Sequence, residues 1–274
     1  MDVYTLGSNP DETARLRRQS EELRPYAEEL LARIGLRRGQ SAIDLGCGPA
    51  GILDLLAAAV GPRGRVVGVD ADPAHAAMAD ELALTGVEII TADARQTGLP
   101  ADSFDLVHAR MLLAPIADPE DVVAEMMRLA RPGGWVASQE PDVEHALCFP
   151  AVPAWDRLIE LFRASHRQLG ADPCIGRRTA GLFRDAGLVD IEVTAYSPVF
   201  SRGPLTQGGP SRPAPRRGPG DPGSGPGRPS GTRRARSRGP CASRRPARHR
   251  DPAPPVRGRG TQATANPVRT GGRR

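Results

Sequence analysis

Apolar positions along the first 200 residues fall into short runs that alternate between two periods. From about Asp11 to Ile34 they recur at helical spacing, opened by the cap-like NPDE and closed by Gly35, which predicts a long amphipathic helix. SAIDL then predicts a strand that runs into the glycine turn GCGPAG, and ILDLLAAAV, from Ile52, predicts a helix. The alternation continues with strand RVVGVD (65–70), helix PAHAAMADELAL (73–84), strand VEIITAD (87–93), the polar turn ARQTGLPADS and strand FDLVHAR (104–110). Helix PEDVVAEMMRLA (119–130), turn RPGG and strand WVASQEP (135–141) follow. Five strands in such a series predict an α/β fold, a doubly wound, Rossmann-like parallel sheet with helices on both faces. Beyond them, AWDRLIELFRASHRQLG and RRTAGLFRDAGL read as helices and VDIEVTAYSPVF as a strand.

After Ser201 the pattern stops. The last 73 residues hold 28 Gly or Pro, no aromatic side chain, and only Leu205, Val256 and Val268 among the larger aliphatics. Such a segment cannot bury enough apolar surface to offset chain entropy, so residues 202–274 are expected to be a disordered Arg/Gly/Pro-rich tail. Charge divides at the same place: up to Ser201 there are 19 Arg against 30 acidic residues, and beyond it 18 Arg against Asp221 and Asp251. Runs such as RRARSR (233–238) could make a nucleic-acid arm. The absence of lysine instead suits a GC-rich gene, in which a shifted reading frame yields mainly Arg, Gly, Pro, Ala and Ser, and that is the expected origin of the tail. The four cysteines form no CxxC pair and no zinc spacing, so no metal site and reduced thiols in a cytoplasmic protein are expected. ILDLLAAAV contains Asp54 and is too short to span a bilayer, so no membrane partner is expected.

Polar residues stand at the C-terminal ends of the predicted strands, where open α/β sheets bind ligands: Asp44, Asp70, Asp93, Arg110 and Glu140. Any one aspartate there could merely cap the following helix. Five in one layer point to a site. Gly46, Gly48 and Gly51 have the GxGxxG spacing of a dinucleotide turn, but Asp44 lies two residues before the first glycine. A carboxylate in that place repels a pyrophosphate and attracts an ammonium or a sulfonium, which favours S-adenosyl-L-methionine over NAD.

Taken in order, these motifs resemble the class I S-adenosylmethionine-dependent methyltransferases, over roughly residues 36–141. The N-terminal helix, residues 1–35, is similar to the one that covers the cofactor in the small-molecule and quinone-methylating branches, and residues 36–201 would form the cofactor-binding domain. The resemblance implies that Asp44, Gly46 and Gly48 in IDLGCG hold the methionine moiety and that Asp70 accepts from both ribose hydroxyls. It also implies that Asp93 and Ala94 in TADAR meet the adenine; Arg110 ends the strand SFDLVHAR that matches the fourth of the family, and is grouped with the cofactor residues. Ala50 stands where a third glycine is common, with Gly51 one step on. The implied reaction is methyl transfer to an O-, N- or C-nucleophile of a small-molecule acceptor, helped by a general base. Glu140, Asp142 and His145, after the fifth strand, are the candidates for that base, whereas His108, inside a strand, reads as a satisfied interior histidine. In the family a seventh strand lies antiparallel between the fifth and sixth; nothing after Ser201 has the composition to form it, which would leave the sixth strand unpaired. Two other readings stand beside the small-molecule enzyme: an RNA or protein methyltransferase tethered by the basic tail, and an inactive truncated relative that binds cofactor.

Overall fold

A computed structural model describes residues 10–49, 51–80, 86–144, 146–199 and 266–269. The elements are α1 (Pro10–Ile34), β1 (Ser41–Leu45), α2 (Leu53–Val60), β2 (Arg65–Asp70), α3 (Pro73–Asp80), β3 (Val87–Thr91) and β4 (Phe104–Arg110). They continue with α4 (Pro119–Leu129), β5 (Ala130–Gln139), α5 (Pro153–Gln168), a single 3-10 turn (Ile175–Arg177), α6 (Thr179–Asp185) and β6 (Asn266–Arg269). The first five strands are parallel in the order β3-β2-β1-β4-β5. Chain order reverses between β1 and β4, so the loops that leave these strands diverge and open a crevice at their C-terminal ends.

Both faces of the sheet are covered, as the near-continuous apolar runs of β1, β2 and β4 require. On one face Ile43, Leu45, Val67, Val69, Val107 and Val136 pack with Val122, Val123 and Met126 of α4 and Leu182 and Phe183 of α6. On the other, Ala42, Val66, Leu106 and Ala137 pack with Ala27, Leu30, Leu31 and Ile34 of α1 and Leu53, Leu56 and Val60 of α2. Register then determines what stands at the strand tops. Asp44 lies opposite His108, His108 opposite Ala137, and Arg110 opposite Gln139. Because side chains alternate between faces, Asp44, His108, Arg110 and Gln139 all belong to the α1/α2 face.

Two expectations about the far edge are corrected. Asn266–Arg269 pairs antiparallel with Trp135–Ser138 of β5, so four residues after Ser201 do join the sheet, in the place expected for a seventh strand. Proline is tolerated there because an edge strand needs only half of its backbone groups paired. The predicted strand at 189–200 does not form: its described residues, 189–199, hold only single bridge positions at Val189 and Ala195, with Val193 61% and Val199 90% exposed. The β5 edge it would have approached is occupied by β6, and the segment is tied to α1 instead, through the Tyr196 ring on Tyr26 at 4.7 Å and Arg33 donating to Thr194. The expected disorder of the tail concerns 202–265 and 270–274, which lie outside the described residues.

Candidate cofactor and active site

The glycine turn is wrapped around a buried carboxylate. Asp44 is 2% exposed; its Oδ1 lies 2.7 Å from Nδ1 of His108, itself wholly buried, and its Oδ2 accepts the Ile52 N–H at 3.3 Å. Gly51 passes so close that a Cβ there would collide with Asp44 Oδ2. Gly46 has φ +66°, and a Cβ on it would sit 2.6 Å from Leu112 Cδ1. Only glycine combines that backbone with that approach. The turn is joined to β2 as well: Gly48 N–H donates to Asp70 Oδ2 at 2.8 Å and Asp72 N–H to Asp70 Oδ1 at 2.9 Å. Gly48, Asp70 and Asp72 thus form one hydrogen-bonded unit, and Asp44 is held separately by His108 and Ile52. Between them the buried Cys47 thiol is pushed well up, by burial first and then by the Asp44 and Asp70 charges, so it stays protonated and inert.

Arg110 closes the β4 side. Its Nη2 donates to Ser20 Oγ of α1 at 2.7 Å and to Gly51 O at 3.4 Å, while Nη1 is buried without a partner. Burial lowers its pKa from the ordinary arginine value, against the pull of Asp44 and Asp54. Ser20 Oγ in turn donates to Gly51 O at 2.8 Å, so α1 is attached directly to the turn. At the opposite end Asp93 is about half exposed and paired with Arg95 at 2.7 Å, whose hydrogen bonds hold its carboxyl low; Ala94 is buried beside it.

The three candidates after β5 have unlike surroundings. Glu140 is 1% exposed and accepts the N–H groups of Leu112, Leu113 and Ala114 at 3.1–3.3 Å and the Ser138 hydroxyl at 3.0 Å. Burial raises its carboxyl to about 7 in spite of those four donors. Asp142 forms a two-pronged pair with Arg177 at 2.6 and 2.7 Å; burial works to raise its carboxyl, but Arg177 and the Glu144 N–H outweigh it and hold it below the usual range. His145 lies outside the described residues. His108 is interior as its strand predicts, with Asp44 as its partner at Nδ1, but it is not fully satisfied, since Nε2 is buried without a partner. Ser20, Gln139 and Arg177 were not anticipated as part of this region. Ser20 sits on a helix whose apolar stripe gives no hint of a polar contact, and Gln139 becomes visible only once β4 and β5 are in register.

The sequence matches the methyltransferase domain family over residues 43–138. The chain is 32% identical over 188 residues to demethylmenaquinone methyltransferase of Geobacillus sp. (strain WCH70), covering 63% of this chain and 80% of that protein. It is 34% identical over 183 residues to trans-aconitate 2-methyltransferase of Methylobacterium radiotolerans, covering 66% of each. A 37.1 kDa protein from transposon TN4556 of Streptomyces fradiae is 33% identical over 205 residues, and there the match spans 70% of this chain and 56% of the other. The chain belongs to the S-adenosylmethionine-dependent methyltransferases, and its cofactor is S-adenosyl-L-methionine. Among the described residues no helix is long and apolar enough to cross a membrane.

Proposed function

We propose that the enzyme methylates a small organic acceptor, with the cofactor held along the tops of β1, β2 and β4. The observation that carries the placement is Arg110: a half-buried arginine beside the glycine turn, whose Nη1 is buried and unmatched, with no carboxylate pair among the described residues. Leaving such a donor unpaired in a folded chain is costly, and the carboxylate of an amino-acid moiety would satisfy it. Asp70 supports the same placement, since its two oxygens take one backbone N–H each out of about four lone-pair sites, which leaves acceptor capacity for a ribose diol. Asp44, Gly46 and Gly48 then hold the methionine end, and Asp93 and Ala94 the adenine.

Bound S-adenosylmethionine supplies an electrophilic methyl group on its sulfonium. The protein's part is to align the acceptor with that methyl and to exclude water, which the cover of α1 over the turn favours. Proton removal from the acceptor is assigned to the loop after β5. Glu140, at about 7, has the protonation range that suits a base near neutrality, and Asp142, held low by Arg177, anchors the loop, with His145 as the remaining candidate. The acceptor class is supported by two relatives named for demethylmenaquinone and trans-aconitate. A cytoplasmic location is the matching assignment, supported by the free thiols Cys47, Cys148 and Cys174.

The test is calorimetry with S-adenosylhomocysteine, followed by methyl transfer from labelled cofactor to a panel holding quinones, carboxylic acids, RNA and protein. Saturable binding with transfer to a small molecule is expected; transfer to RNA or protein alone, or binding without turnover on any acceptor, would overturn the reading. Replacing Glu140, Asp142 and His145 singly should reveal one whose loss lowers turnover with cofactor affinity kept, and the assignment of the base fails if none of the three does so.

A further inference from the structure

We infer that His108 is a positioning residue for cofactor binding, acting through Asp44. The inference rests on the reading of Asp44 as the group that faces the amino-acid end of the cofactor. The two residues are direct cross-strand neighbours in the β1–β4 pair, their side chains are 0% and 2% exposed, and Nδ1 meets Oδ1 at 2.7 Å. A carboxylate can only accept, so the imidazole carries its proton on Nδ1. With Oδ1 taken by the ring and Oδ2 by Ile52 N–H, and with Gly51 pressed against Oδ2, the carboxylate has one orientation. The ring enforces it from the β4 side and the turn from the other. Without the ring, a buried carboxylate has lost its strongest donor and is free to rotate or to take up a proton, and in either state it attracts an ammonium less.

A packing role and a positioning role make different predictions for ligands that carry or lack the amino acid. S-Adenosylhomocysteine carries it and 5′-methylthioadenosine does not. His108→Leu should weaken S-adenosylhomocysteine at least about tenfold while changing 5′-methylthioadenosine less than about twofold, since only the former meets Asp44. His108→Asn, whose amide N–H reaches the place of Nδ1, should restore most of the lost affinity. Equal weakening of both ligands, no weakening of either, or failure of Asn to restore binding would overturn the inference. If His108→Leu does not fold, the ¹⁵N shifts of the His108 ring in the unaltered protein decide it: a protonated Nδ1 is expected, and a bare Nδ1 with Nε2–H overturns it. Asp44→Asn separates the two layers. Unchanged S-adenosylhomocysteine affinity in that variant would refute the reading of Asp44 itself, and not the His108 contact.

Discussion

The glycine turn and the helix α5 are both marked in the sequence, one by glycine spacing and one by helical periodicity, yet they are held in opposite ways. Around the turn most polar groups are answered, Asp44 by His108 and Ile52, Asp70 by Gly48 and Asp72, and Ser20 by Gly51 and Arg110, while Arg110 Nη1 and His108 Nε2 are left without a partner. α5 has no buried residue at all, and Leu158, Leu161 and Phe162 on it are exposed, as are Leu147 and Phe149 just before it. Its pair of Arg157 with Glu160 lies in solvent, where it contributes little. Helical periodicity states that a stripe is apolar; it does not state what covers the stripe. A turn in which charge, backbone conformation and close contact must agree tolerates far fewer alternatives.

That contrast can be tested by substitution. The largest effect is expected at Glu140, which anchors Leu112–Ala114 and thereby the loop against Gly46. Glu140→Leu removes the acceptor of three N–H groups, two of them fully buried, and of a hydroxyl, and should cost at least about 3 kcal/mol in denaturant unfolding. Its titration adds a pH dependence. The folded-state carboxyl is raised from 4.5 to about 7, so its contribution to stability is fully present below about 4.5 and is lost as pH rises through about 7. The loss is on the order of 3 kcal/mol, and Glu140→Gln should flatten the stability profile over that window.

Asp70→Ala comes next, with a loss of about 1–3 kcal/mol in S-adenosylhomocysteine affinity by calorimetry, because the charged acceptor proposed for the ribose hydroxyls disappears and Gly48 N–H loses its partner. Asp93→Ala should cost less than about 1 kcal/mol in the same measurement, since that carboxylate is about half exposed and already committed to Arg95. The smallest effect belongs to α5: Leu158→Ser should change unfolding stability by no more than about 0.5 kcal/mol. A loss of 2 kcal/mol there would mean that α5 is packed after all and would erase the contrast.

The parallel sheet was legible because each strand is bracketed by turn residues and each helix by an apolar stripe, and β2 and β4 begin and end where the pattern places them. The acidic strand ends were legible for the same reason, since position within a bounded strand tells which residue emerges at the top. Pairings across the sheet were not. That His108 answers Asp44 depends on β4 lying beside β1 in one register, and that Ser20 reaches Arg110 depends on how α1 lies over both. The far edge misled. The alternation in VDIEVTAYSPVF has strand character, but β5 offers a single free edge and Asn266–Arg269 takes it.

The contact between Gly51 and Asp44 has a consequence for how such turns are recognised from a string of letters. What the fold forbids is a side chain at the residue that presses on the carboxylate, wherever that residue falls in the count. In this chain it falls at 51, and the preceding position carries alanine. A template that sets the third glycine two residues after the second would score Ala50 as a defect and Gly51 as noise, although the carboxylate is covered by a residue without a side chain all the same. The invariant is a distance, and the spacing is one of several ways to spell it.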